Sequence, residues 1–172
     1  CEGITHSLLL PHTGFTDAKH RVSGNLRGCA AAIAGLTRYA LYVEDDHLLD
    51  QAESLCRTAL GLIAEGGATP EEEPCCTIME LTTALLSLTT AGRGEYWDTV
   101  DRWFRNTVVE CQFRDPAALH RGYSPGEPKA WDDTHDIVNR SLGGFFWASP
   151  YEYLCWRIRL MTCCSGHAIW TL

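Results

Sequence analysis

The feature that most constrains the fold of this chain is a set of four apolar stripes at helical spacing. Within each stripe, apolar residues recur at intervals of three and four, which places them on one face of an α-helix. The stripes predict helices near residues 26–43, 48–64, 75–91 and 95–113. Strand-like alternation of apolar and polar residues is scarce. We therefore predict an all-α chain of antiparallel helical hairpins, in which each helix buries its stripe against its neighbours.

The sequence also repeats itself weakly, one hairpin apart. Residues 46–53 align loosely with residues 94–101, and both segments are rich in acidic and apolar positions. Repeated hairpins are typical of α/α toroids and solenoids, because each unit covers the apolar face of the next. The repeat therefore favours a toroid or solenoid built from helical hairpins.

Charge narrows the possible partners. Lys and Arg total 14 against 22 Asp and Glu, for a formal net charge of -8. Binding to nucleic acid or to anionic lipid without sequence specificity requires clustered positive charge, so we expect neither partner. No apolar stretch is long enough to cross a membrane. The sequence leaves the oligomeric state open.

The chain has the size of one ordinary domain. Its 172 residues are enough for a substantial hydrophobic core. The sequence begins at Cys1 and stops at Leu172 inside an apparent helix. We therefore expect residues 1–172 to be a single domain cut from a longer one.

Nine cysteines include two adjacent pairs, Cys75–Cys76 and Cys163–Cys164. Adjacent cysteines do not easily bond to each other, because the Cα separation and the preferred S–S dihedral conflict with a trans peptide. A secreted domain laced by other disulfides remains an alternative. Thiolate ligands for a metal fit the clustering better. Unoxidised thiols favour a cytoplasmic location, although the sequence leaves the compartment open.

Both cysteine pairs lie where helices are predicted to begin. Pro74 suits a first helical position, and Thr162 is a suitable N-cap for the helix after it. A helix N-terminus stabilises a thiolate through its unpaired N–H groups and partial positive charge. Two such pairs, brought together by the fold, would form a sulfur-rich site that suits zinc. Inert buried thiols or a purely structural zinc remain alternatives.

These motifs resemble the β-L-arabinofuranosidase family of glycoside hydrolases. The resemblance lies in Glu73-x-Cys75 at the start of an apolar helix, and in Cys163-Cys164 before a small-residue turn. The stretch 73–111, which contains Arg-x-x-x-Asn at residues 102–106, resembles the middle of that family. The resemblance implies part of an (α/α)6 barrel that holds zinc through one glutamate and three cysteines. In this sequence those ligands would be Glu73, Cys75, Cys163 and Cys164.

The resemblance also implies a retaining hydrolase of β-L-arabinofuranosides or related plant-type sugars. Cys163, the first member of its pair, would attack the anomeric carbon. A glutamate upstream of the Glu-x-Cys motif would act as the acid and base. Glu65 is our candidate, and Glu71 and Glu72 compete with it. His167 follows Cys163 by one helical turn and would contact the substrate, although a buried structural histidine is an equal alternative.

Neighbouring helix positions point about 100° apart, so only one of Cys75 and Cys76 should face a metal. The resemblance selects Cys75, and we expect Cys76 to point elsewhere. An aromatic-rich stretch from Phe145 to Trp156 favours core packing over a sugar-stacking wall.

Two other functions compete with the hydrolase. Asp132-Asp133-x-x-Asp136 matches the Mg²⁺-diphosphate motif of terpene synthases. It follows a Pro- and Gly-rich loop and has no second metal motif to accompany it, so a chance match is favoured. A non-catalytic helical scaffold stabilised by zinc is the stronger alternative, because it needs the same ligands and no catalytic groups.

Overall fold

The computed structural model describes residues 26–70, 74–117 and 137–146. These ranges are mostly helical and contain no strand, so the predicted all-α class is confirmed for them. A short 3₁₀ turn, Val109–Cys111, ends the fourth helical stretch. The other elements, in chain order, are α1 (Leu26–Tyr42), α2 (Asp46–Leu60), α3 (Pro74–Thr90), α4 (Trp97–Trp103), a π-helical segment (Phe104–Val108) and α5 (Ile137–Arg140).

A tight turn joins α1 to α2. The Asp45 amide donates to the Ala40 carbonyl at 3.0 Å, and Glu44 takes a left-handed conformation with φ 54. This is the usual way to close a helix C-terminus, although glycine normally occupies the left-handed position. Asp45 then caps α2, because its carboxylate accepts the Leu48 amide at 3.0 Å. The two helices therefore form a hairpin whose turn is fixed by hydrogen bonds.

Helix α3 is the centre of the fold. It packs most extensively on α1 and also contacts α2, α4 and the π-helical segment. A helix that is apolar on nearly every side is expected to be surrounded by other elements. Its buried side chains are Cys75, Cys76, Thr77, Ile78, Met79, Leu81, Thr82, Ala84, Leu85 and Leu88.

Residues 111–113 pair with residues 143–146 after the fourth helical stretch. The Phe113 amide donates to the Gly144 carbonyl at 2.8 Å, and the Phe146 amide donates to the Cys111 carbonyl at 2.9 Å. The rings of Phe113 and Phe146 meet edge to face with centroids 5.4 Å apart. Phe146 is buried and Phe145 packs against the core, so these two aromatic residues serve core packing, as the sequence favours.

The observed helices follow the predicted ones closely, with two differences. Helix α2 ends at Leu60, before the predicted limit of 64, because Gly61 opens a turn in which Ile63 is still buried. The predicted helix 95–113 begins at Trp97 and passes from α-helix to π-helix at Phe104. The weak sequence repeat aligns Asp46, the first residue of α2, with Gly94 in the turn before α4, so its two copies begin in different local structures.

Candidate functional site

Two residues of the predicted site, Glu65 and Cys75, lie in the described part of the chain. The other three metal ligands, one of which is the predicted nucleophile, and the substrate-binding histidine do not. The alternative acids and the alternative magnesium motif also lie outside the described residues. Outside the described residues lie Glu71, Glu72, Glu73, Asp132, Asp133, Asp136, Cys163, Cys164 and His167.

Cys75 occupies the first turn of α3. Pro74 is the first residue of that helix, as the sequence predicts, and its missing N–H costs nothing at a position that has no helical acceptor. The Cys75 side chain is 0% exposed, and Cys76 is also buried. Both can be buried because the other elements surround α3 on more than one side. The structure therefore places one predicted zinc ligand in a sheltered position at a helix N-terminus.

The five described cysteines are all buried, and none of the five forms a disulfide. They belong to three helices and the 3₁₀ turn: Cys29, Cys56, Cys75, Cys76 and Cys111. Burial raises the pKa of the Cys56 thiol to about 12, and the nearby Glu53 carboxylate adds to the effect. Cys56 therefore remains a protonated thiol at neutral pH. It lies in the C-terminal half of α2, away from the N-terminus of that helix, and so serves as an internal reference for Cys75.

Glu65 lies in the loop between α2 and α3. Its side chain is 86% exposed, and its Oε1 atom lies 2.5 Å from Nη1 of Arg102. A general acid is usually a carboxyl group sheltered from water, because shelter favours the protonated form. The surroundings of Glu65 are those of a surface ion pair. The catalytic role of Glu65 stays a prediction.

The loop that carries Glu65 lies directly on the fourth helical stretch. The Gly67 amide donates to the Ala64 carbonyl at 2.8 Å, and Gly67 has φ +94. A Cβ atom on Gly67 would lie 2.6 Å from Oγ1 of Thr107 and 3.1 Å from Cδ1 of Trp103. Only glycine allows both this backbone conformation and this close approach.

The sequence does not predict this contact between the loop and the helix. The Arg-x-x-x-Asn spacing at residues 102–106 does not indicate that Arg102 pairs with Glu65. Trp103 is expected only as part of the apolar stripe of its helix, and Thr107 carries no signal of a role. The Gly66–Gly67 pair was the available signal, because adjacent glycines often mark a close backbone approach.

A complete metal site would require ligands beyond the described ranges. Within those ranges, no three His, Cys, Asp or Glu side chains converge on a point where they could hold a metal ion. Cys75 is the one predicted ligand that these ranges contain. The zinc prediction therefore depends on Glu73, Cys163 and Cys164 joining Cys75.

Comparisons with protein-family models, with curated proteins and with solved structures gave no match. In the part of the chain that the structure describes, no helix is both long enough and apolar enough to cross a membrane.

Proposed function

We propose that this chain is the catalytic part of a retaining glycoside hydrolase that acts on β-L-arabinofuranosides or related plant-type sugars. The observation that carries the proposal is the position of Cys75. It is buried in the first turn of α3, where the Glu73-x-Cys75 motif predicts that a helix begins. The antiparallel hairpins around α3 are compatible with the (α/α)6 barrel that the resemblance implies. We extend the proposal to that architecture.

The proposed zinc ligands are Glu73, Cys75, Cys163 and Cys164. Cys75 fits this role, because its sulfur is sheltered from water and lies at the N-terminus of a long helix. Three thiolates and one carboxylate are a donor set that zinc accepts readily. When bound, zinc would keep the sulfur of Cys163 deprotonated at neutral pH and stabilise it as a leaving group.

The proposed reaction has two displacement steps. In the first, the Cys163 thiolate attacks the anomeric carbon, the glycosidic C–O bond breaks, and Glu65 gives its proton to the departing oxygen. In the second, Glu65 takes a proton from water, the water oxygen attacks the anomeric carbon, and the C–S bond breaks with its electron pair returning to sulfur. Two inversions at one carbon give net retention. His167 would contact the sugar during both steps.

The test of this function is turnover of natural and activated aryl arabinofuranosides by the intact protein. Cys163→Ser should abolish turnover, because a neutral hydroxyl is a far poorer nucleophile than a thiolate. Glu65→Gln should slow poorly activated substrates by roughly 10²–10⁴-fold and spare those with good leaving groups. Full activity in the Cys163 variant would refute the nucleophile. Equal loss on both substrates would remove Glu65 as the acid and move attention to Glu71 and Glu72.

A non-catalytic helical scaffold stabilised by zinc is the second candidate. The exposure of Glu65 and its ion pair with Arg102 favour it, because a scaffold needs no sheltered acid near its metal. The two functions differ in one measurable respect. A scaffold would bind zinc tightly and unfold when a chelator removes it, yet would turn over no arabinofuranoside.

A further inference from the structure

The loop between α2 and α3 is held at two points that are close in sequence. At Gly67 its backbone lies against Trp103 and Thr107, both of which are buried. At Glu65 its carboxylate meets the Arg102 guanidinium at 2.5 Å. The two contacts differ in kind, since the first is a close approach of the backbone to buried side chains and the second is an exposed ion pair.

The residues that receive the loop belong to one continuous helical stretch. Arg102 and Trp103 end α4, and Thr107 lies in the π-helical segment that follows without a break. Short π-helical segments inside α-helices are frequent at functional sites. Trp103 and Thr107 both face Gly67 across this junction. We call the three residues Arg102, Trp103 and Thr107 the loop seat.

The loop is also close to Cys75 along the chain. Its last described residue is Pro70, and α3 begins at Pro74. The helix that carries Cys75 also packs directly on the elements that receive the loop, because α3 contacts both α4 and the π-helical segment. A displacement of the loop therefore acts on α3 through these elements. The position of the loop therefore bears on the position of Cys75 as well as on that of Glu65.

We infer that the loop seat is a positioning element of the proposed active site, with Arg102, Trp103 and Thr107 as positioning residues for Glu65 and for the start of α3. The catalytic meaning of this inference rests on the proposed function. Its geometric content, that the seat controls the surroundings of Cys75, does not require any activity.

The first test compares Gly67→Ala with Gly92→Ala in the intact protein. Both glycines have positive φ (+94 and +73), so alanine costs backbone strain at each. Only Gly67 has atoms in the way, because nothing lies within 4 Å of a Cβ at Gly92. The readout is the alkylation rate of Cys75, measured by mass spectrometry of its peptide, with Cys29 and Cys56 as buried references.

Gly67→Ala should speed Cys75 alkylation by about tenfold or more relative to Gly92→Ala, because a displaced loop opens that region locally. The rates at Cys29 and Cys56 should match between the two variants. Parallel increases at all three cysteines would mean global loosening and would overturn the inference. Equal Cys75 rates in the two variants would overturn it as well.

The second test leaves the backbone intact. Arg102→Met removes the ion pair with Glu65, Arg102→Lys keeps the charge, and Arg105→Met removes an exposed pair with Asp101 on the same helical stretch. In an active protein, Arg102→Met should lower kcat for poorly activated substrates several-fold more than for activated ones, because a misplaced acid matters most when the leaving group is poor. Arg102→Lys should restore part of that loss, and Arg105→Met should behave as wild type.

Equal effects of Arg102→Met and Arg105→Met would overturn the role of Arg102. If the protein hydrolyses no arabinofuranoside, the proposed function fails, and Cys75 alkylation alone decides whether the loop seat positions the start of α3.

Discussion

The two ends of α3 are built in different ways. At its N-terminal end, Cys75 is buried, and the preceding loop lies in direct contact with Trp103 and Thr107. At its C-terminal end, Gly92 closes the helix and Arg93 reaches the exposed carboxylates of α2, Asp46 and Asp50, each at 2.5 Å.

The two ends of α3 should therefore respond differently when a neighbouring side chain or loop is displaced. Close-packed contacts transmit small displacements, whereas exposed ion pairs are weak and tolerate rearrangement. A site that requires fixed geometry is therefore better placed at the N-terminal end. Cys75 lies in the close-packed part of that end, whereas Glu65, in the preceding loop, is held by an exposed ion pair with Arg102.

The largest expected effect on stability comes from the hydrophobic core, which supports both ends of α3. Leu81 lies in the middle of α3 and is 0% exposed. Leu81→Ala should lower the free energy of unfolding by roughly 2–5 kcal/mol, through lost burial and the cavity left behind. The matched control is Leu62→Ala, which removes the same atoms from a side chain that is 49% exposed and should change stability by less than about 0.5 kcal/mol. Denaturant unfolding measures both.

Amide hydrogen exchange of Leu81→Ala and Leu62→Ala tests whether the two ends of α3 respond together or separately. Leu81→Ala should speed amide exchange at both ends of α3, because one core supports them. Faster exchange at one end alone would show that the two ends are independent units.

The next largest expected effect is a dependence of the unfolding free energy on pH. It originates in α2, which runs between the two ends of α3. Burial raises the pKa of the Cys56 thiol to about 12 in the folded protein, against an ordinary value of 9.0. Well below pH 9.0 the thiol is protonated in both the folded and the unfolded state, so its burial contributes fully to stability. Between pH 9.0 and about 12 the unfolded chain loses the proton while the folded chain keeps it, so stability falls as pH rises.

Cys56→Ala should therefore flatten the decline of unfolding free energy across that alkaline window, even if the variant is less stable at neutral pH. The decline that is removed should be on the order of a few kcal/mol. Denaturant midpoints measured at intervals from pH 8 to pH 11 would give the slope. An unchanged slope in the variant would mean that Cys56 is not the group responsible.

The smallest expected effect on stability belongs to the two turns that close α1 and α3. Gly92 ends α3 with φ +73, while Glu44 ends α1 with φ 54 in the same kind of turn. Glu44→Gly should raise the unfolding free energy by about 0.5–1 kcal/mol, because glycine takes this conformation without strain. Gly92→Ala should lower it by a similar amount. Thermal unfolding of the two variants checks both signs, and a destabilised Glu44→Gly protein would mean that the Glu44 side chain makes a contact worth more than the strain.

Most of the fold could be predicted because local sequence signals determine where its helices begin, end and bury their side chains. Pro74 marks the start of α3, Gly92 marks its end, and apolar spacing marks the buried faces. The change to π-helix at Phe104 carries no such signal, since the apolar spacing of that segment is compatible with an α-helix. The early end of α2 was missed because Ile63 fits the helical period yet is buried from a turn.

Less of the candidate site could be predicted. The sequence placed Cys75 at a helix start correctly, because the signals for that are adjacent to it. It did not pair Glu65 with Arg102 or Arg93 with Asp46, since these residues are far apart in sequence and meet only through tertiary packing. The exposure of Glu65 likewise depends on how its loop lies on the neighbouring helix.

The most direct test of the central claim is the zinc content of the purified intact protein and of two cysteine variants. The proposal predicts about one tightly bound zinc per chain, lost in Cys75→Ala and retained in Cys56→Ala. The Cys56 variant is the matched control, because it removes an equally buried thiol from a neighbouring helix. A zinc-free wild-type protein, or a Cys75→Ala protein that keeps its zinc, would contradict the claim.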